Sequence, residues 1–155
     1  VTLPIYLLYK FDSNSKTFSN ILQYFFLSIA VFYYMFFAFL TTMIREIIKD
    51  IEDINGDYIV KLKTLPILIG KTRARNISIF LSVVLLLFLF LVSSNYFISK
   101  KYFLGTIMLM ISIILVHFIF KSWNASTKKQ FHYLSNLMKL IMFIGILSMT
   151  LFKFK

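Results

Sequence analysis

Five of the six acidic residues lie in one short run, Arg45-Glu46-Ile47-Ile48-Lys49-Asp50-Ile51-Glu52-Asp53-Ile54-Asn55-Gly56-Asp57, and the sixth is Asp12. Carboxylates crowded together beside a bilayer repel one another and call for cations to hold them. At about 100° per residue, Glu46, Asp50, Asp53 and Asp57 fall within roughly 60° of one another around a helix. Ile44, Ile47, Ile48, Ile51 and Ile54 fall on the opposite side. Two chemistries fit such a face. Hard divalent cations prefer oxygen ligands and often bind through carboxylates together with substrate phosphates. The alternative is a solvated helix end with local ion pairs, Lys49 with Asp53 and Arg45 with its acidic neighbours. The one-sided spacing favours the cation. Asn55-Gly56 reads as a helix stop, which puts Asp57 just past the helix end but still near Asp53. A calcium loop of the EF-hand kind is excluded. Aligning Asp53-Ile54-Asn55-Gly56 to it puts Ile51 and Leu62 at the first and last ligand positions, where acids are required.

The elements that must position this face are greasy. The chain is 59% hydrophobic with nineteen Phe in 155 residues and a mean hydropathy of +0.82, the composition of an integral membrane protein. Apolar runs at about 18–44, 77–98, 102–120 and 136–152 predict four α-helical spans at 1.5 Å per residue. The motif loop is 45–76. The expected fold class is therefore all-α, a polytopic transmembrane helical bundle. Val1 to Tyr9 is an apolar stub without the charged start or cleavage pattern of a signal peptide. It reads as the end of a span whose beginning is missing, so an N-terminally truncated fragment is expected.

With no cysteine, disulfides, thiolate metal sites and cysteine nucleophiles are excluded. The net charge of +11 sits between the apolar runs, where positive-inside charge belongs, so no nucleic-acid partner is expected. The segments 45–76 and 121–135 hold ten Lys/Arg against six on the other side. That bias places the acidic motif in the cytoplasm of a multi-pass protein, here expected in a bacterial cell membrane.

The acidic run, followed by Lys63-Thr64-Leu65-Pro66-Ile67 and Gly70, resembles the second aspartate-rich motif of the UbiA superfamily of intramembrane prenyltransferases. The likeness is dense from about Arg45 to Arg75 and is strongest to the digeranylgeranylglyceryl phosphate synthase branch. It implies the C-terminal part of a nine-helix prenyltransferase fold, single-domain over 1–155. It also implies Mg²⁺ as cofactor, held by Asp53 and Asp57 with Asp50 as a further partner. The same three acids are the implied catalytic residues, with Lys63, Lys61 and Arg45 on the diphosphate of a polyprenyl donor. Metal and cations would neutralise charge on the leaving diphosphate as the allylic bond ionises. A lipid or aromatic acceptor would then attack in a pocket that excludes water. The resemblance implies partners of three kinds: a polyprenyl diphosphate, most simply geranylgeranyl, its acceptor, and membrane lipid.

Two departures stand out. No Asn-x-x-x-Asp-x-x-x-Asp pattern occurs, so the first acidic motif is absent and this polypeptide alone is expected to be inactive. Lys61 stands where a glycine is expected before the Thr-Leu-Pro turn. The alternative is a non-catalytic membrane subunit or a degenerate fragment. A transporter would call for paired acids inside a later span, and none is present. His117 reads as a packing or hydrogen-bonded histidine and His132 as a loop residue. Trp123, Tyr102 and Tyr133 read as interfacial anchors, and Arg73 and Arg75 as ordinary positive-inside charge. Asn76-Ile77-Ser78 and Asn124-Ala125-Ser126 read as chance sequons.

Overall fold

The computed structural model describes the backbone of residues 17–152 and the side chains of residues 31–148. The stub and the polar turn before Thr17, and Lys153 to Lys155, lie outside the described residues. The chain divides into two compact units, 1–32 and 33–155. Of the first, the described part is helix from Thr17 onward. The second holds the core and the acidic run.

Five helices are described: α1 (Thr17–Ile59), α2 (Leu65–Ile69), α3 (Lys71–Ile98), α4 (Tyr102–Trp123) and α5 (Lys128–Phe152). All but α2 are long and apolar enough to cross a membrane. They outrun the apolar runs that predicted them. The α1 helix continues through the acids, α3 starts at Lys71 and α5 at Lys128. Polar residues prolong a helix easily where its backbone bonds are already being made, because each added residue needs no new nucleus.

Apolar side chains from all four long helices meet in one core, including Ile44, Ile48 and Ile51 of α1, Leu85 and Leu89 of α3, Ile111, Leu115 and Phe118 of α4, and Phe131, Met138 and Ile141 of α5. Small polar residues are buried between the helices as well. Thr41, Ser78, Ser82, Ser93, Ser122, Ser135 and Ser148 are buried. Most turn their hydroxyls onto their own helix, as Ser82 does to Ser78 O at 2.7 Å and Thr41 to Phe37 O at 2.9 Å. Ser93 instead donates across to Gly105 O of α4 at 3.2 Å. Small residues let helices approach closely where lipid is as apolar as leucine and gives no hydrophobic push. Gly145 lets α1 approach closely, because a Cβ there would collide with the ring of Phe37. Phe36 and Tyr33 of α1 meet Phe88 of α3 edge-on, at 4.9 and 5.9 Å between centroids.

Candidate active site at the end of α1

The isoleucine face is the reason the acids point outward. Ile44, Ile47, Ile48 and Ile51 are buried, while Glu46 is exposed and Asp50, Asp53 and Asp57 are half-exposed. Amphipathic spacing thus turns one stripe of α1 into the core and presents the other as a row of carboxylates. The helix does not stop at Asn55-Gly56 as its sequence suggested. A lone glycine inside a helix costs about 1 kcal/mol relative to alanine, too little to end one already docked along its isoleucine face. The stop comes later. Lys61 adopts φ 58°, its N–H bonds Tyr58 O at 3.3 Å, and Leu62 N–H bonds Asp57 O at 2.9 Å. That pair of bonds is a Schellman cap with a left-handed residue in the position usually held by glycine. This is the site where a glycine is expected and Lys61 stands. Asp57 is consequently inside α1, one turn beyond Asp53.

Past the cap, Thr64 precedes α2, Pro66 occupies its first turn, and Gly70 at φ 92° redirects the chain into α3. Thr64 Oγ1 is buried without a hydrogen-bond partner among the described residues.

Asp50 stands beyond the apolar run that ends at Ile44. Burial pushes its carboxyl above the ordinary aspartate range, and the carboxylates of Asp57 and Glu46 push it further. Lys49 opposes the shift, and Asp53 adds slightly to it. Asp50 therefore gives up its proton less readily than a free aspartate. The local pairing foreseen for Lys49 and Asp53 does not form. Asp53 Oδ1 instead faces Lys128 Nζ of α5 at 3.6 Å, and Arg45 pairs with Glu46 at 2.5 Å. Among the described residues, Asp50 and Asp57 make no ion pair. Lys61 and Lys63 are exposed and form no bond to the acids, so the described chain does not gather the six candidate residues into one closed constellation. Nor do three acidic or histidine side chains converge as a complete ligand set among the described residues. The donors are all carboxylate oxygens, which suits a hard divalent cation, but they come from one wall only.

Contacts with α5 anchor this wall. His132, expected in a loop, lies within α5 and holds Glu52 Oε1 at 2.8 Å through Nδ1. Its Nε2 lies 3.2 Å from Asn136 Nδ2. His117 is exposed and meets Tyr133 Oη at 3.3 Å.

Arg75 is more than positive-inside charge. It donates to Ala125 O at 2.9 Å, while Lys71 donates to Ser126 O at 2.6 Å and sits 5.0 Å from the Phe131 ring centroid. Together they clamp the α4–α5 turn to the start of α3. A signal for that turn was present and unread. Thr127-Lys128-Lys129-Gln130 is a capping box, with Thr127 N–H bonded to Gln130 Oε1 at 3.0 Å and Gln130 N–H to Thr127 Oγ1 at 3.4 Å.

Residues 16–146 match the family described as the UbiA prenyltransferase family. Among curated proteins, the digeranylgeranylglyceryl phosphate synthase of Methanosphaera stadtmanae is 35% identical over 113 residues, 73% of this chain and 41% of that protein. The synthase of the same name from Thermococcus kodakarensis is 33% identical over 112 residues, 72% of this chain and 39% of that protein. The one from Pyrococcus abyssi reaches 63% identity over 41 residues, 26% of this chain and 15% of that protein. The chain thus spans about two fifths of the length of the first of these relatives. The relatives are archaeal and lend no support to the bacterial membrane expected above. No solved structure gives a significant match.

Proposed function

The chain belongs to the UbiA prenyltransferase family, and on that premise we propose that it forms the second acidic wall of an intramembrane enzyme moving a polyprenyl group from its diphosphate to an acceptor. The observation that carries this reading is the row of carboxylates on the exposed stripe of α1, with Asp50 and Asp57 free of ion pairs among the described residues. The names of the relatives favour a geranylgeranyl donor and geranylgeranylglyceryl phosphate as acceptor. A quinone-precursor ring is the second choice within the same chemistry.

In this reading Asp53, Asp57 and Asp50 would hold Mg²⁺, and the ion would supply positive charge toward the diphosphate. Lys63 and Lys61, exposed just past the end of α1, bind the same diphosphate from the chain's own side. Arg45 joins them only by leaving Glu46. The allylic C–O bond breaks with its electron pair going to the diphosphate, whose growing charge these cations offset. The acceptor nucleophile then forms the new bond to the allylic carbon. The acid-bearing end lies on the cytoplasmic side, where basic residues of 45–76 and 121–135 are concentrated.

The test is prenyl transfer from a radiolabelled prenyl diphosphate by membranes containing the complete enzyme, with and without Mg²⁺. Asp53→Ala and Asp57→Ala should each lower the rate roughly a hundredfold or more, the scale on which one electrostatic partner of a transition state acts. Variants that transfer at the wild-type rate would end the proposal.

A further inference from the structure

A polar concavity away from the acids lies where α4 ends and α5 begins. His117, Lys121, Asn124, Lys129, Gln130 and Tyr133 line a groove of about 560 Å³. Lys129 and Tyr133 follow Lys128 and His132 by one residue, so they stand about 100° around α5 from the side chains that touch α1. The groove therefore opens on a different face of the helix from the acidic wall, at a similar depth.

Three observations bear on what it takes. Lys121 and Lys129 form no ion pair and no hydrogen bond among the described residues, so two ammonium groups line one hollow without an acid to neutralise them. Lys129 sits in the first turn of α5, at the positive end of that helix's dipole. The surroundings are those of a membrane interface: Phe120, which lines the groove, is 72% exposed, and Trp123 at the end of α4 is 65% exposed. Aromatic rings of this kind mark the headgroup level, and basic hollows between membrane helices at that level suit anionic headgroups. Tyr133 Oη, Asn124 and Gln130 add polar groups able to donate to phosphate oxygens.

We propose that this groove is a binding site for the phosphate headgroup of an anionic membrane phospholipid, separate from the acidic wall. Lys121 and Lys129 neutralise the phosphate, while the acyl chains lie along the exposed apolar side of α4 beside Phe120.

The experiment is native mass spectrometry of the full chain in detergent, titrated with phosphatidylglycerol, phosphatidylcholine or inorganic phosphate. The wild type should retain phosphatidylglycerol in preference to phosphatidylcholine. Lys121→Gln/Lys129→Gln should reduce the phosphatidylglycerol adducts about fivefold or more, and Lys121→Arg/Lys129→Arg should restore them. Lys100→Gln/Lys101→Gln removes the same charge at the far end of α4 and should leave the adducts unchanged. Equal losses from the two glutamine pairs would reduce the effect to overall charge and overturn the site. Wild-type retention by Lys121→Gln/Lys129→Gln would overturn it as well. Displacement of the lipid by a tenfold excess of inorganic phosphate would show a site for soluble phosphate and refute the lipid assignment.

Discussion

Replacing Lys61 with glycine should make the protein more stable, although it removes a side chain and adds backbone freedom. Lys61 closes the Schellman cap of α1 at φ 58°, a conformation that costs an L residue about 1–2 kcal/mol through the contact of Cβ with the following carbonyl. Glycine has no Cβ and escapes that cost, but it loses more conformational entropy on folding, by about 0.5–1 kcal/mol. The Lys61 side chain is exposed and makes no bond among the described residues, so nothing else of consequence is lost. The difference leaves a net gain of about 0.5–1 kcal/mol, a factor of roughly two to five in the unfolding equilibrium. Lys61→Ala is the decisive control, because alanine keeps Cβ and the left-handed strain while losing the charge. Lys100 holds the same place at the end of α3, at φ 58°, with Lys101 N–H bonded to Tyr96 O at 2.9 Å. Lys100→Gly should therefore show a similar gain far from the acids. The assay is denaturant titration of the chain in detergent, followed by far-UV circular dichroism. If Lys61→Gly proves no more stable than Lys61→Ala, the strain argument is wrong. The same pair tests the chemistry in the complete enzyme. If the Lys61 ammonium contacts the diphosphate, both variants raise the KM for the prenyl donor alike, whatever their stability.

Gly145→Ala should destabilise the bundle by about 1–3 kcal/mol through overpacking, since its Cβ would collide with the ring of buried Phe37. Phe37→Leu should relieve part of that loss in the double variant, and independent additive losses would contradict the contact. Asp50→Asn should stabilise the cation-free protein at neutral pH, because the folded state raises the pKa of Asp50. A raised carboxyl pKa leaves stability untouched below the ordinary aspartate range and lowers it as pH climbs above that range. The benefit should therefore shrink toward pH 4, and millimolar Mg²⁺ should stabilise the wild type more than the variant. A pH-independent benefit would show that the titration is not its cause. Arg75→Ala should cost about 1.5–3 kcal/mol by removing the charged donor to Ala125 O. Faster hydrogen exchange at Ala125, Ser126 and Thr127 would report the freed turn, and unchanged exchange there would refute the clamp.

Much of this architecture was legible in the chain. Spans are set by how many apolar residues run together, a one-dimensional property, and the isoleucine spacing from Ile44 to Ile54 predicts which side of α1 is buried because helix geometry is local. The carboxylate row follows from the same periodicity. The helix ends were less legible, since Asn55-Gly56 is a stop only where tertiary contacts do not already hold the helix. Here buried Ile47, Ile48 and Ile51 hold α1 just before it, a lone glycine costs too little to end a helix already formed, and the cap falls on Lys61 instead.

The sequence by itself determined the greasy helices, the one-sided acids and the family resemblance. Only the tertiary structure decided which partners the charges take. Asp53 meets Lys128 rather than Lys49, Glu52 meets His132 eighty residues away, and Arg75 secures the turn at Ala125. The physical reason is range. Periodicity and caps act within a few residues, whereas an ion pair depends on which helix packs alongside, and small residues such as Gly145 set that packing through contacts no local pattern encodes.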